Sequence, residues 1–149
     1  MAEIGEVKRV NQAIDIFVPT HGHLKLTMTC IEALYENTKV PFHLIVCDDS
    51  TDLTPLYFKN LQKEKDNITF IHSETPFKCG NQFFNIALEN CKTPYMATVM
   101  NSIRVEPDWE TVAINLMNND SKVGIIGFKC LFPWGLIESA GLPMHGYTP

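Results

Sequence analysis

Long apolar runs are absent from this sequence of 149 residues. A helix that crosses a bilayer needs about 20 consecutive apolar residues, and the sequence contains no run of that length. Residues 1–12 carry charges where a secretory signal would be apolar. We therefore expect a cytoplasmic protein without a transmembrane segment.

An excess of basic residues is also absent. The sequence has 12 Lys and Arg residues against 17 Asp and Glu, which gives a formal net charge of -5. Proteins that hold nucleic acid need clustered Lys and Arg to replace the counterions condensed on the phosphates. This composition argues against nucleic acid as a partner.

Cysteine pairs at a metal-binding spacing are absent as well. The 5 cysteines include no Cys-x-x-Cys motif, and their number is odd. This pattern favours reduced, mostly buried thiols over a disulfide framework or a zinc site. His21 and His23 flank Gly22, but two histidines without a third ligand at a fixed spacing are weak evidence for a metal. A turn without a metal accounts for them better.

What the sequence does contain is a regular alternation of apolar segments. Short apolar runs predict buried strands, and apolar residues three or four positions apart predict helices. Strands are predicted at 13–18, 42–47, 68–71, 95–100 and 123–126, and helices at 24–37, 53–65, 80–91 and 109–117. The turn Pro133-Trp134-Gly135 between two extended pieces predicts a C-terminal hairpin. The alternation predicts an α/β fold, an αβα sandwich whose mostly parallel sheet is covered on both faces.

Polar residues follow three of the predicted strands. They are Thr20 and His21, Asp48 and Asp49, and Asn101 and Ser102. Ligands of parallel sheets sit beyond the carboxyl ends of the strands. We therefore expect these three polar groups to converge in one cleft.

These segments together resemble glycosyltransferase family 2 of the GT-A fold. The opening strand and turn are similar to Ile16-Phe17-Val18-Pro19-Thr20-His21, and the family's Val-Asp-Asp-Gly-Ser-Thr-Asp segment is similar to Val46-Cys47-Asp48-Asp49-Ser50-Thr51-Asp52. The stretch from Tyr95 to Trp109 resembles the family's strand, acidic motif and Pro-x-Trp helix start, and Val123 to Lys129 continues the register. The hairpin from Leu131 to Gly141 resembles that of rhamnosyltransferase-like members.

The resemblance implies a single Rossmann-type, GT-A-like domain over residues 1–149 that binds a nucleoside diphosphate sugar. The residues that it assigns to this substrate are Pro19, Thr20, His21, Asp48, Asp49, Asn101 and Ser102. For Asp48 and Asp49 the alternative is capping of the helix that follows. A carboxylate pair after a strand also occurs in phospho-acceptor receiver domains, but those place the pair after their first strand.

Two departures from the family pattern bear on activity. Met100 and Ser102 stand at the two Asp positions of the Asp-x-Asp-type motif, which makes the motif degenerate. A hydroxyl is a poor ligand for a hard cation, so Ser102 disfavours Mn²⁺ or Mg²⁺ as a cofactor. Family enzymes also continue into a segment that supplies the acceptor site, and we expect that half to be absent.

Without a metal, the charge of the diphosphate must be met by cations or by helix N-terminal amides. Lys78 and Arg104 both lie in segments that border the predicted cleft. The alternative for each is a solvated surface cation. These two residues therefore complete the predicted set of substrate-binding residues.

An active enzyme of this kind would displace the nucleoside diphosphate from the anomeric carbon with inversion. Glu138 and Asp108 are the only candidates for the base, and each has a structural alternative. The missing carboxylate and acceptor half favour a second hypothesis, a catalytically silent nucleotide-sugar-binding or interaction module, or one part of a split enzyme. Trp134 at the hairpin tip predicts a surface for a second copy or a partner chain.

Overall fold

The computed structural model describes residues 12–77 and 80–140, and the chain divides into two units at Asn115 and Leu116. The strands are β1 (Ile14–Thr20), β2 (Phe42–Asp48), β3 (Ile68–His72), β4 (Tyr95–Thr98), β5 (Cys130–Leu131) and β6 (Ile137–Ser139). The helices are α1 (Leu24–Asn37), α2 (Thr54–Glu64), α3 (Gly80–Glu89) and α4 (Trp109–Asn119). None of these helices has the length and apolar character of a membrane span.

A parallel sheet organises the first unit. Its strand order is β3-β2-β1-β4, and each neighbouring pair is parallel. The chain steps outward from β1 to β2 and β3, and then returns to place β4 on the other side of β1. Such a reversal of strand order marks the ligand-binding edge of α/β sheets.

Both faces of this sheet are buried, which explains the continuous apolar runs of its strands. Ile16 of β1 packs on one face in a cluster with Ile31 of α1 and Phe58 of α2. Phe17, the next residue along β1, packs on the opposite face in a cluster with Ala87 of α3. The predicted αβα sandwich with a mostly parallel sheet is confirmed.

The turn between β1 and α1 has left-handed backbone at two successive residues. Gly22 has a φ of 71° and His23 a φ of 57°. Gly22 adopts this conformation without a steric penalty, whereas His23 requires support from its surroundings. The turn directs the chain from the carboxyl end of β1 into α1, so its backbone stays at the edge of the sheet.

The thiols of the described residues are free. Burial raises the pKa of Cys30 to about 12 and that of Cys47 to about 11. Both thiols therefore stay protonated near neutral pH and pack as small apolar groups. This agrees with the prediction of reduced thiols, while Cys79 lies outside the described residues.

The second unit contains the hairpin that the sequence predicts. β5 and β6 pair antiparallel, and the ring of Phe132 stacks on that of Trp134 at 4.7 Å. The prediction of a further strand at 123–126 is wrong, because residues 123–129 form no strand. Ile125 there is 92% exposed. An apolar run becomes a strand only where a neighbouring strand pairs with its backbone groups.

Candidate functional site

Three side chains lie next to one another at the last register positions of β1, β2 and β3. Thr20 pairs with Asp48, and Asp48 pairs with His72. Thr20 Oγ1 donates to Asp48 Oδ1 over 2.7 Å, and His72 Nδ1 lies 2.7 Å from Asp48 Oδ2. Ser50 Oγ also donates to Oδ1. Because both oxygens of Asp48 are hydrogen-bonded and the residue is 0% exposed, it connects the strand ends from inside the protein.

Asp49, the next residue, connects two loops. Its Oδ1 lies 2.7 Å from His21 Nδ1, and its Oδ2 accepts a hydrogen bond of 2.9 Å from the Phe77 amide. The Asp49 side chain is 6% exposed, whereas that of His21 is 77% exposed. A largely buried carboxylate therefore holds an imidazole at the surface, with most of the ring accessible.

The end of β4 reaches the same region through Asn101. Asn101 Nδ2 donates to Thr27 Oγ1 over 3.0 Å and contacts the Gly22 carbonyl at 3.4 Å. The Gly22 amide in turn donates to Ser50 Oγ. The turn at Gly22 thus bonds to the segments that follow β2 and β4. The polar residues of three strand ends converge at one edge of the sheet, as the sequence predicts.

An open cleft of about 320 Å³ lies beyond the ends of β2 and β3. It is lined by Asp49, Ser50, Thr51, Asp52, Pro55, His72, Ser73 and Glu74. The nearby Thr54 hydroxyl and a hydrogen bond of 2.9 Å from the Thr54 amide lower the pKa of Asp52, so this carboxylate is ionised near neutral pH. Negative charge in the cleft disfavours an anionic ligand. The lining therefore favours a neutral group with N–H and O–H donors.

Two predicted site residues, Pro19 and Ser102, have no side-chain hydrogen bond to this network within the described residues. Pro19 is half-buried in β1, in register with Cys47. Ser102 is exposed in the turn after β4, where the Ile103 amide donates to the Met100 carbonyl over 2.9 Å. Lys78 lies outside the described residues.

The segment with Arg104 and Asp108 lies at the other end of α1. The Val105 carbonyl, next to Arg104, accepts a hydrogen bond of 2.9 Å from Asn37 Nδ2. The Asp108 amide donates to the Asn37 carbonyl over 3.1 Å. Asn37 ends α1, about 20 Å of helix away from Leu24. The chain after Ser102 therefore runs along α1 toward its far end, and the assignment of Arg104 to the cleft stays a prediction.

The two candidate bases belong to different units of the chain. Asp108 has a left-handed φ of 59° and precedes the first residue of α4, where its carbonyl accepts from the Thr111 amide over 3.1 Å. These features indicate a role at the start of the helix. Glu138 is exposed on β6 in the second unit.

His72 and Ser50 belong to the network although neither is among the predicted site residues. His72 ends β3 and meets Asp48 through the register of the sheet. Its position two residues after Phe70, on the same face of the strand, is the one sequence signal for it. Ser50 was visible only as part of a run of capping residues after β2.

The residues at 100–102, after β4, offer no carboxylate to a divalent cation. Met100 has a thioether, Ser102 a hydroxyl, and Asn101 a neutral amide whose Nδ2 donates to Thr27. Hard cations prefer carboxylate and carbonyl oxygens. Across residues 12–77 and 80–140, no three His, Cys, Asp or Glu side chains are grouped to hold a metal ion.

The chain is similar in sequence to one protein family and in fold to several solved structures. The family model described as Glycosyl transferase family 2 matches residues 15–132. No curated protein sequence matches the chain. S. aureus TarS 1-349 is 20% identical with a TM-score of 0.63, over 72% of this chain and 32% of that one.

Two further solved structures contain ligands. The mannosyltransferase PcManGT from Pyrobaculum calidifontis, in complex with GDP-Man and Mn²⁺, is 18% identical with a TM-score of 0.65, over 73% of this chain and 33% of that one. S. aureus TarS 1-349 in complex with UDP-GlcNAc is 20% identical with a TM-score of 0.63, over 72% and 31%. At these identities the likeness shows a shared GT-A fold. The chain spans about a third of the length of these structures.

Proposed function

This chain belongs to glycosyl transferase family 2, and on that premise we propose that it binds a nucleoside diphosphate sugar at the carboxyl ends of β1 to β4. One observation carries the proposal. The polar residues after three strands are joined in one hydrogen-bonded network beside an open cleft. Structures of similar fold contain GDP-Man and UDP-GlcNAc, which supports this substrate class.

The order of the strands supports an elongated ligand. β3 and β4 are the outer strands of the sheet. With neighbouring strands about 4.8 Å apart, their ends are about 14 Å apart. The acidic cleft lies at the β3 side and repels phosphate, so we assign the nucleoside to the cleft. The diphosphate then extends toward Gly22 and Asn101, and Lys78 is the cation that we propose, from the sequence alone, to meet its charge.

Asp48 and Asp49 have different proposed roles. Asp48 is enclosed and fully bonded, so it positions Thr20 and His72 and does not contact the nucleotide itself. Asp49 lines the cleft and holds His21, whose exposed ring offers a flat face for a nucleobase. This division refines the expectation that both carboxylates bind the nucleotide directly.

We interpret Met100-Asn101-Ser102 as a degenerate Asp-x-Asp motif. In the family such a motif binds the metal ion that stabilises the departing diphosphate. The side chains at 100–102 include no carboxylate to bind a hard cation. Binding in this chain therefore rests on its own side chains and amides. The β5–β6 hairpin, which resembles that of rhamnosyltransferase-like members, supports placing the chain in that branch.

The same observation favours a second candidate function, binding of a nucleotide sugar without transfer. General-base catalysis requires a carboxylate or imidazole within hydrogen-bond reach of the acceptor hydroxyl. Asp108 lies at the far end of α1, which supports binding without transfer. The exposed Trp134, Leu136 and Ile137 of the hairpin support association with a second copy or a partner chain.

Calorimetry with UDP, GDP, ADP and CDP tests the proposal. We expect one of the four to bind, and His21→Ala and Asp49→Asn to weaken that binding by about tenfold each, since each removes a contact of about 1 kcal/mol or more. Glu64→Gln, at an exposed carboxylate that ends α2, is the control and should bind like the parent. The proposal fails if no nucleotide binds, or if the two site variants also match the parent.

A further inference from the structure

We propose that Asp48 and His72 act as a dyad in which Asp48 orients the imidazole and His72 Nε2 hydrogen-bonds the nucleoside of the bound nucleotide. The inference rests on the proposed function and names a contact within it. The sequence offers no sign of this role, because His72 acquires its partner only when β2 and β3 align.

The imidazole of His72 is held from two directions. Its Nδ1 lies 2.7 Å from Oδ2 of Asp48, a residue that is 0% exposed. The ring also stacks on Phe70 at 6.2 Å and 22°, and Phe70 stacks on the fully buried Phe58 at 5.1 Å. Asp48 is itself fixed by Thr20 and Ser50. A ring supported in this way loses little conformational freedom when a ligand binds.

The other edge of the ring is available. The His72 side chain is 23% exposed and lines the cleft. Since Nδ1 is directed at the buried carboxylate, Nε2 is the ring nitrogen left for the cleft, and within residues 12–77 and 80–140 it has no hydrogen-bond partner. His43 provides the contrast, because its Nδ1 bonds to Asp15 and its Nε2 already bonds to Thr69 Oγ1 at 2.8 Å.

The surroundings decide which part of a nucleotide His72 meets. A carboxylate partner at Nδ1 places the proton of the neutral ring on that nitrogen, so Nε2 accepts. The cleft also carries the carboxylates of Asp49, Asp52 and Glu74, which repel phosphate and accept hydrogen bonds. The complementary group is neutral and rich in donors, such as a ribose hydroxyl or a nucleobase N–H. Both belong to the nucleoside, and neither to the diphosphate.

The first test divides the ligand into its parts. Calorimetry compares the tightest of the four nucleoside diphosphates, the matching nucleoside and pyrophosphate, on the parent and on His72→Phe. Phenylalanine retains a ring to stack on Phe70 and removes both nitrogens. We expect a loss of about tenfold for the nucleoside and the nucleoside diphosphate alike, with pyrophosphate unchanged, because one hydrogen bond of this kind is worth about a factor of ten.

The matched control is His43→Phe, which removes the other strand-borne histidine with a buried Asp partner. It should lower stability and leave all three affinities within about twofold. Parent-like nucleoside binding by His72→Phe would overturn the inference while leaving the proposed function intact, and so would an equal loss for pyrophosphate. If the parent binds none of the four nucleotides, the proposed function fails and the inference fails with it.

A second measurement tests the positioning role of Asp48 without relying on affinity. Ring ¹⁵N chemical shifts report which nitrogen of His72 carries the proton. We expect the Nδ1-protonated form in the parent and a mixture of tautomers in Asp48→Asn, because the amide no longer presents a carboxylate to Nδ1. An Nε2-protonated ring in the parent would refute the dyad. Thermal unfolding shows whether each variant remains folded for the comparison.

Discussion

The two ends of the central sheet use the same pair of side chains in different ways. His43 lies 2.7 Å from Asp15 at the amino end, and His72 lies 2.7 Å from Asp48 at the carboxyl end. Both carboxylates are 0% exposed. The second ring nitrogen of His43 bonds to Thr69, whereas that of His72 has no partner within the described chain and faces the cleft. A pair in which both ring nitrogens are hydrogen-bonded within the protein stabilises the fold. A pair in which one ring nitrogen has no protein partner can hydrogen-bond a ligand.

At the amino end of the sheet, both carboxylate oxygens of Asp15 are hydrogen-bonded within the protein. Its Oδ2 accepts hydrogen bonds from the Lys92 amide at 2.8 Å and from the amide and hydroxyl of Thr93 at 2.7 Å each. Its Oδ1 faces His43. One carboxylate therefore connects β1, β2 and the loop before β4. Both oxygens are hydrogen-bonded and the residue is 0% exposed, so the group has a structural function.

Removing the Asp15 carboxylate should have the largest effect of any change at either end. Asp15→Ala leaves three donors of Lys92 and Thr93 and the His43 ring without their acceptor in a buried place, and we expect the free energy of unfolding to fall by about 3 kcal/mol. Urea unfolding measures this loss. Nucleotide affinity of the folded variant should stay within about twofold of the parent. A stable variant with impaired binding would reverse the roles assigned to the two ends.

The contribution of Asp15 to stability should depend on pH. Burial raises the pKa of Asp15, but hydrogen bonds from His43, from Thr93 and from the amides of Lys92 and Thr93 outweigh it, so the pKa lies below the ordinary 3.8. A lowered folded-state pKa adds stability at pH values above 3.8, and this stability is lost as the pH falls through the folded value.

The control for this pH effect is Asp15→Asn, which cannot ionise. The parent should be more stable than the variant from neutral pH down to about 4, and the difference should shrink as the pH falls further. Urea titrations at several pH values between neutral and acidic measure it. A stability difference that stays constant through the acidic range would show that the charge of Asp15 contributes nothing.

Much of the fold follows from local signals. The predicted helix at 24–37 coincides with α1, because apolar residues at helical spacing follow a turn that contains Gly22. The four parallel strands are also found where short apolar runs predict them. The failure at 123–126 has a physical cause. Apolar composition indicates that a segment is suited to a strand, but pairing depends on a neighbour elsewhere in the chain.

The site was less predictable for the same reason. Thr20, Asp48 and Asp49 follow apolar runs and are found at the strand ends, so the position of the cleft could be predicted. His72 meets Asp48 across 24 residues of sequence, and only the register between strands decides this contact. Sequence also cannot tell which of two adjacent carboxylates is enclosed. Here it is Asp48, at 0% exposed against 7% for Asp49, and the different roles that we propose for the two carboxylates rest on this difference.

The smallest expected effect concerns the turn after β4, where we propose that Ser102 replaces a carboxylate of the family motif. In the parent, Mn²⁺ should change nucleotide affinity by less than about twofold, because the Ser102 hydroxyl is a weak ligand for a hard cation. Ser102→Asp places an anionic oxygen on this exposed turn and should make affinity rise with Mn²⁺. Its unfolding free energy should stay within about 0.5 kcal/mol of the parent, as is usual for exposed positions.

The control is Ser102→Asn, because asparagine has nearly the same shape as aspartate without the charge. A response in Ser102→Asp alone would identify the carboxylate as the cause. Calorimetry with and without Mn²⁺ decides the matter, and a strong metal dependence in the parent would contradict the assignment of a degenerate motif.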